Sequence, residues 1–263
     1  MENYKNENYL QKEIMGQSRH LFIYGDNTDY RSEFLKNIEE CYPVVLDSTS
    51  PVAIYLNSFG IPKVKTPYKN IDPITIRSMC REYLSFTVAL RILERTLNCN
   101  DQNLNNRLSR LFRLINVLRN KEYSEISSVT DLIKEMQASQ KFYYEKYTNY
   151  MNGQIEEISL HDIALPFLEL STFIKYYKQG TNIDSYIGII FDKKTELSSH
   201  SLEAVNSLIS GRINSDISIK VATSPTDWNL YRAANGQFIE AVHDYGIVEL
   251  DNSYKAYTKK LTR

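Results

Sequence analysis

The chain has 263 residues, of which 42% are hydrophobic and 24% charged, with a formal net charge of -1. That composition fits a globular protein of one or two domains with a sizeable core. The balanced charge sets up no global field for nucleic acid, so such a surface would have to be a local patch. Cys41, Cys80 and Cys99 lack CxxC spacing, which argues against a disulfide framework and a cysteine zinc site. The start MENYKNENYLQKEI has no apolar h-region, and no run approaches the ~20 apolar residues of a membrane span. A protein of the reducing cytoplasm, away from the membrane, is the expectation.

The first 19 residues read as a polar arm. His20-Leu-Phe-Ile-Tyr-Gly25 is a short apolar run ending in Gly, which suits a buried parallel strand. The loop Gly25–Tyr30 and a helix over Arg31–Glu40 follow, the helix carrying Phe34, Leu35 and Ile38 on one face. Tyr42–Asp47 is predicted as the second strand. Ser50 and Pro51 then supply an N-cap and first turn for a helix ending at Gly60, and residues 61–72 form a loop.

From Pro73 to Gly180 no strand is predicted. Helical patterns cover 74–98, 105–119, 128–151 and 160–178, the last interrupted near Pro166. Strands return at Ser185–Asp192, Ile217–Thr223 and Asp244–Asp251, with a helix over Ser198–Gly211. Strands alternating with helices imply a parallel five-stranded α/β sheet covered on both faces. More than a hundred residues between the second and third strands are too many for a structureless loop, so they form a helical insertion. The expected organisation is an arm (1–19), an α/β core (20–72 and 181–263) and a helical insertion (73–180).

Gly25-Asp-Asn-Thr-Asp-Tyr-Arg-Ser32 lies between a strand and a helix and partly matches the phosphate loop G-x-x-x-x-G-K-[ST]. Such a loop works because backbone N–H groups surround an anion at a helix N-terminus. Tyr30 stands at the second glycine, where its side chain is expected to crowd the phosphates. Arg31 stands at the lysine and Ser32 keeps the magnesium-facing hydroxyl. Ile187–Asp192 is an apolar strand ending in an acid, but Lys193 stands where a water-orienting Glu is needed, and an ammonium cannot accept a proton from water. Thr223 or Ser224, ending the next strand, could sense a γ-phosphate.

The order of these pieces resembles the AAA ATPases of the origin-recognition and initiator type, including bacterial ATPases of the STAND class. The likeness lies in about residues 18–50 and 185–251, most clearly in IGIIFDKKTELSSHSLEAVNSLISGR, ISIKVATSPTDW and NGQFIEAVHDYGIVELD. It implies a P-loop NTPase-like fold, candidate nucleotide contacts at Gly25, Asn27, Arg31, Ser32, Asp192, Thr223 and Ser224, and Mg²⁺ at Ser32 and Asp192. ATP or ADP with Mg²⁺ is the candidate cofactor. Tyr30, Arg31 and Lys193 depart from the family pattern, and the dozen residues after Asp251 are too few for the family's helical lid.

The leading expectation is therefore a degenerate ATPase-fold protein that binds a protein partner or itself, in DNA transactions or anti-phage defence. One alternative is an active ATPase completed in trans. Another is a DNA-binding accessory factor using the basic stripe Arg107, Arg110, Arg113, Arg119 and Lys121, although a solvated helix face accounts for the stripe more simply. Tyr143, Tyr147 and Tyr150 share a helical face that reads first as core, then as a protein interface. His20, His161, His200 and His243 have no metal-ligand spacing.

Overall fold

A computed structural model describes residues 2–63, 72–118, 125–155, 168–211, 216–228 and 230–251. In chain order the elements are α1 (Glu2–Met15), β1 (Leu21–Tyr24), α2 (Thr28–Cys41), β2 (Val52–Leu56), α3 (Pro73–Leu97), α4 (Leu104–Arg107), α5 (Ser109–Leu118), α6 (Val129–Met151), α7 (Leu170–Thr181), β3 (Ile187–Asp192), α8 (Ser199–Ser210), β4 (Ile217–Thr223) and β5 (Gly246–Glu249). The five strands form one sheet in the order β2-β3-β4-β1-β5. Every pairing is parallel, so the fold is α/β and P-loop NTPase-like, as the sequence predicts.

The alternation of side chains along each strand separates two cores. Leu21, Ile23, Ala53, Tyr55, Ile190, Ala222 and Val248 face α1 and α2. Phe22, Tyr24, Val52, Ile54, Leu56, Ile187, Ile189, Phe191, Ile219 and Val221 face the larger helical side, where α3, α6, α7 and α8 pack. Both faces are therefore apolar, as a buried parallel sheet requires. Gly188 belongs to the α1 face because a Cβ there would stand 2.8 Å from Met15 Cε. The N-terminal arm is a helix in which Ile14 and Met15 are fully buried.

The second strand corrects the sequence prediction. Residues 42–51 form an irregular connection, β2 is Val52–Leu56, and the helix expected to end at Gly60 does not form. Pro43 has no N–H for a ladder. The run Val-Ala-Ile-Tyr-Leu instead pairs from Val52↔Ile187 to Leu56↔Phe191 with all five residues buried. A five-residue apolar run is ambiguous by periodicity, and the sheet decides it.

The helical block between β2 and β3 forms as predicted in kind. Asp72 caps α3 by accepting from Ile74 and Thr75 N–H, and Pro73 occupies its first turn. Ser128 caps α6. The predicted 105–119 helix divides at Leu108 into α4 and α5. Tyr143, Tyr147 and Tyr150 are all buried, so this face is core. Pro166, His161, Arg119 and Lys121 lie outside the described residues. No described helix is long and apolar enough to cross a membrane.

Candidate functional site

The strand-to-helix turn is shorter than a phosphate loop. β1 ends at Tyr24 and Asn27 already caps α2, its Oδ1 accepting from Tyr30 N–H at 3.0 Å. Only Gly25, Asp26 and Asn27 separate the two elements, because Thr28, Asp29 and Tyr30 are wound into the helix. The amides of Gly25, Asp26, Tyr30 and Arg31 are engaged internally. Gly25 N–H donates to Thr223 O at 3.2 Å and Arg31 N–H to Asn27 O at 2.9 Å. Asp26 N–H donates to Asp251 Oδ2 at 2.9 Å. Gly25 does not have a positive φ, so its backbone adopts no conformation that needs glycine.

Helical winding turns Arg31 inward. Its side chain is 1% exposed and Asp192, at the end of β3, is fully buried. Arg31 Nε lies 3.0 Å from Asp192 Oδ1, Nη1 donates to Gly25 O at 2.5 Å, and Nη2 donates to Lys193 O at 3.0 Å. Asp192 Oδ2 accepts from Ser32 Oγ at 2.5 Å and Tyr55 OH at 2.8 Å, with Lys194 Nζ 3.9 Å away. Every nitrogen of the guanidinium and both carboxylate oxygens thus have partners, which is what allows two charges to be buried together. Burial, followed by the hydrogen bond to Asp192, pushes the Tyr55 hydroxyl pKa far up and keeps it a donor.

Gly25, Arg31, Ser32 and Asp192 therefore meet, as the family resemblance implies, but they bond to one another. As arranged, they do not fit a triphosphate with Mg²⁺. The guanidinium fills the turn, the Gly25, Asp26, Tyr30 and Arg31 amides are engaged, and Ser32 and Asp192, which would hold a shared Mg²⁺, bond to each other instead. Asn27 is a helix cap. Thr223 Oγ1 donates to Ser224 O at 3.2 Å and Ser224 Oγ pairs with Thr226 Oγ1 at 3.0 Å.

Tyr30 corrects a second expectation. It is 37% exposed, lies beside Phe34 with ring centroids 6.3 Å apart, and donates its hydroxyl to Glu7 Oε1 at 3.3 Å. The turn is filled by Arg31 rather than crowded by Tyr30. Tyr55 is the site residue missed in the sequence, because its segment reads as a helix there. Read as a strand, the run puts Tyr55 on the same sheet face as Ala53, turned towards the helix that carries Arg31.

Of the basic stripe, Arg107, Arg110 and Arg113 lie among the described residues. Arg107 makes a bidentate pair with Asp47 at 3.1 and 2.9 Å and also reaches Asp101 at 2.8 Å. Asn182 Nδ2 donates to the same Asp47 carboxylate. The hydrogen bonds from Arg107 and Asn182 hold the Asp47 carboxyl below the usual carboxylate range. Arg110 and Arg113 are exposed on α5.

Searches of curated proteins and of solved structures give no significant match. A family model described as ORC-CDC6-like matches residues 50–263, from just before β2 to the last residue. The match takes in the Asp192 strand, the β4 strand and the whole helical block. The chain belongs to the ORC-CDC6-like family, which is of the AAA+ ATPase type.

Proposed function

We propose that this chain is a degenerate member of its family that acts by binding, through protein–protein contacts, and that ATP hydrolysis is not its task. The observation that carries the proposal is Arg31, at the lysine position of the phosphate loop, bonded to Asp192, Gly25 O and Lys193 O. A nucleotide would have to expel a buried, fully paired guanidinium and rewind the first turn of α2. Lys193 offers no base for water. The helical block α3–α7 is then the surface through which a protein partner, or a second copy of the chain, is bound. The proposed setting, DNA transactions or anti-phage defence in the cytoplasm by a protein akin to STAND ATPases, rests on family likeness alone.

The test is nucleotide titration of the purified protein by calorimetry and by melting temperature. Binding stabilises the native state by RT ln(1 + [L]/Kd). The expected result is no heat and no Tm shift with millimolar ATP or ADP and Mg²⁺, and no turnover above an Asp192→Ala control. The competing reading, an ATPase completed in trans, draws on the meeting of Ser32 and Asp192. It predicts turnover that appears on adding a partner and disappears in Asp192→Ala.

A further inference from the structure

A buried ion pair and a half-buried one act on α2, one near each end. Arg31 and Glu39 lie two turns apart, about 12 Å along the axis, and both are buried. Arg31 enters the turn after β1. Glu39 reaches the helical block: its Oε2 accepts from Arg91 Nη2 of α3 at 2.7 Å, and Arg95 Nε stands 3.8 Å from Oε1. The same Oε1 accepts from Tyr55 N–H at 3.0 Å. Tyr55 is therefore held at two points, its hydroxyl on Asp192 of β3, which Arg31 and Ser32 of α2 also bond, and its amide on Glu39 of α2. The result is one connected chain of contacts: Arg31–Asp192–Tyr55–Glu39–Arg91.

We infer that Arg31 is a built-in replacement for the nucleotide, and that through this chain it locks α3, the first helix of the helical block, in a single position. The inference rests on the proposed loss of nucleotide and adds a consequence: the block's placement is set by side chains and does not respond to ATP. Coupling over this distance needs a contiguous physical network, and each link here is a hydrogen bond between buried or half-buried groups.

The lock requires arginine. Three different guanidinium nitrogens bond to three acceptors lying in different directions, and a lysine ammonium on a flexible stem cannot reproduce that fork. Arg31→Lys restores the residue a working phosphate loop carries, so the lock and a latent nucleotide site make opposite predictions for it.

The experiment compares wild type, Arg31→Lys, Glu39→Gln and the double variant. It measures melting temperature and amide exchange in the 86–97 segment of α3, with and without millimolar ATP and Mg²⁺. Arg31→Lys is expected to lower Tm by about 5 °C or more and to speed exchange in α3 roughly tenfold, with no response to nucleotide. The double variant is expected to lose less than the two singles combined, as coupled sites do. Should Arg31→Lys prove too unstable, Tyr55→Phe removes one link while keeping its amide, and a smaller Tm fall with faster α3 exchange supports the lock. Unchanged α3 exchange in Arg31→Lys and Tyr55→Phe, or strictly additive losses, overturns the lock while leaving the loss of nucleotide standing. A Tm rise with ATP and Mg²⁺ in wild type overturns both.

Discussion

Arg31 Nε stands 3.0 Å from Asp192 Oδ1 with both side chains out of solvent, which joins the residue at the phosphate-loop lysine position directly to the acid at the end of β3. Removing one partner strands the other as a buried charge. Asp192→Asn is expected to destabilise the fold by about 3 kcal/mol, the usual scale for breaking such a pair. The Arg31→Met/Asp192→Asn double variant should lose less than the sum of its singles. Urea unfolding curves read both quantities.

Gly25 opens the phosphate-loop pattern, yet an alanine Cβ there would sit 3.4 Å from Leu250 Cβ, an ordinary contact, at a φ that is not positive. Gly25→Ala should therefore shift stability by less than about 1 kcal/mol, with reduced unfolded-state freedom favouring the variant. Gly60 is the contrast. It has φ +68, and a Cβ would stand 2.8 Å from Ser201 Cβ, so Gly60→Ala should lower stability by about 1–3 kcal/mol. Paired urea titrations distinguish the two glycines.

Arg107 ties the 42–51 connection to α4 through Asp47 and Asp101. Arg107→Ala should lower Tm and speed exchange of the Asp47 amide, which donates to Thr181 O. Arg110→Ala and Arg113→Ala should change neither. A phosphate-binding arginine contributes close to one to the slope of log K against log salt. Because its guanidinium is engaged, Arg107→Ala should leave the slope of any DNA binding unchanged.

A half-buried base, His20, and a buried one, Lys220, at the other end of the sheet set the pH dependence. Burial, reinforced by the Lys220 charge and opposed by Asp244, holds the His20 pKa down at about 4 from 6.5. Its Nδ1 accepts from Ile219 N–H at 2.9 Å, which requires the neutral ring. The unfolded chain therefore binds the proton first as pH falls, and stability present above pH 6.5 is lost between 6.5 and 4. Burial likewise lowers the Lys220 pKa to about 7 from 10.5, although its ammonium donates to Gln17 O and Arg19 O. Here the unfolded state holds the extra proton between pH 7 and 10.5, so stability rises with pH across that window. Urea midpoints measured near pH 5, 7 and 9 should rise throughout. His20→Gln should flatten the acid limb and Lys220→Met the alkaline one.

Much of the architecture was legible in the residues themselves. Ile217, Ile219 and Val221 alternate with Ser218 and Lys220, the period of a strand, and Ile217–Thr223 is a strand to the residue. Ser198 caps α8 and Gly211 ends it, because capping is a local hydrogen-bonding matter that a short window contains. Val52–Leu56 was not legible. Its burial on both faces erases the alternation that marks a strand, and only the parallel partner β3 selects strand over helix.

The sequence by itself determined that Gly25, Arg31, Ser32 and Asp192 lie at one end of a parallel sheet, since strand ends and helix starts are set locally. It could not determine what these residues do to each other. Arg31 and Asp192 are 161 residues apart, and whether the guanidinium faces a ligand or the carboxylate depends on where α2 begins. Asn27 starts that helix three residues after β1. The early start shortens the turn and rotates Arg31 inward, and Tyr55 on the neighbouring strand closes the remaining carboxylate oxygen. The cap at Asn27 is local, but Asp192 and Tyr55, the groups that meet the inward arginine, are supplied only by tertiary packing, because a charge removed from water must find its partners within the fold.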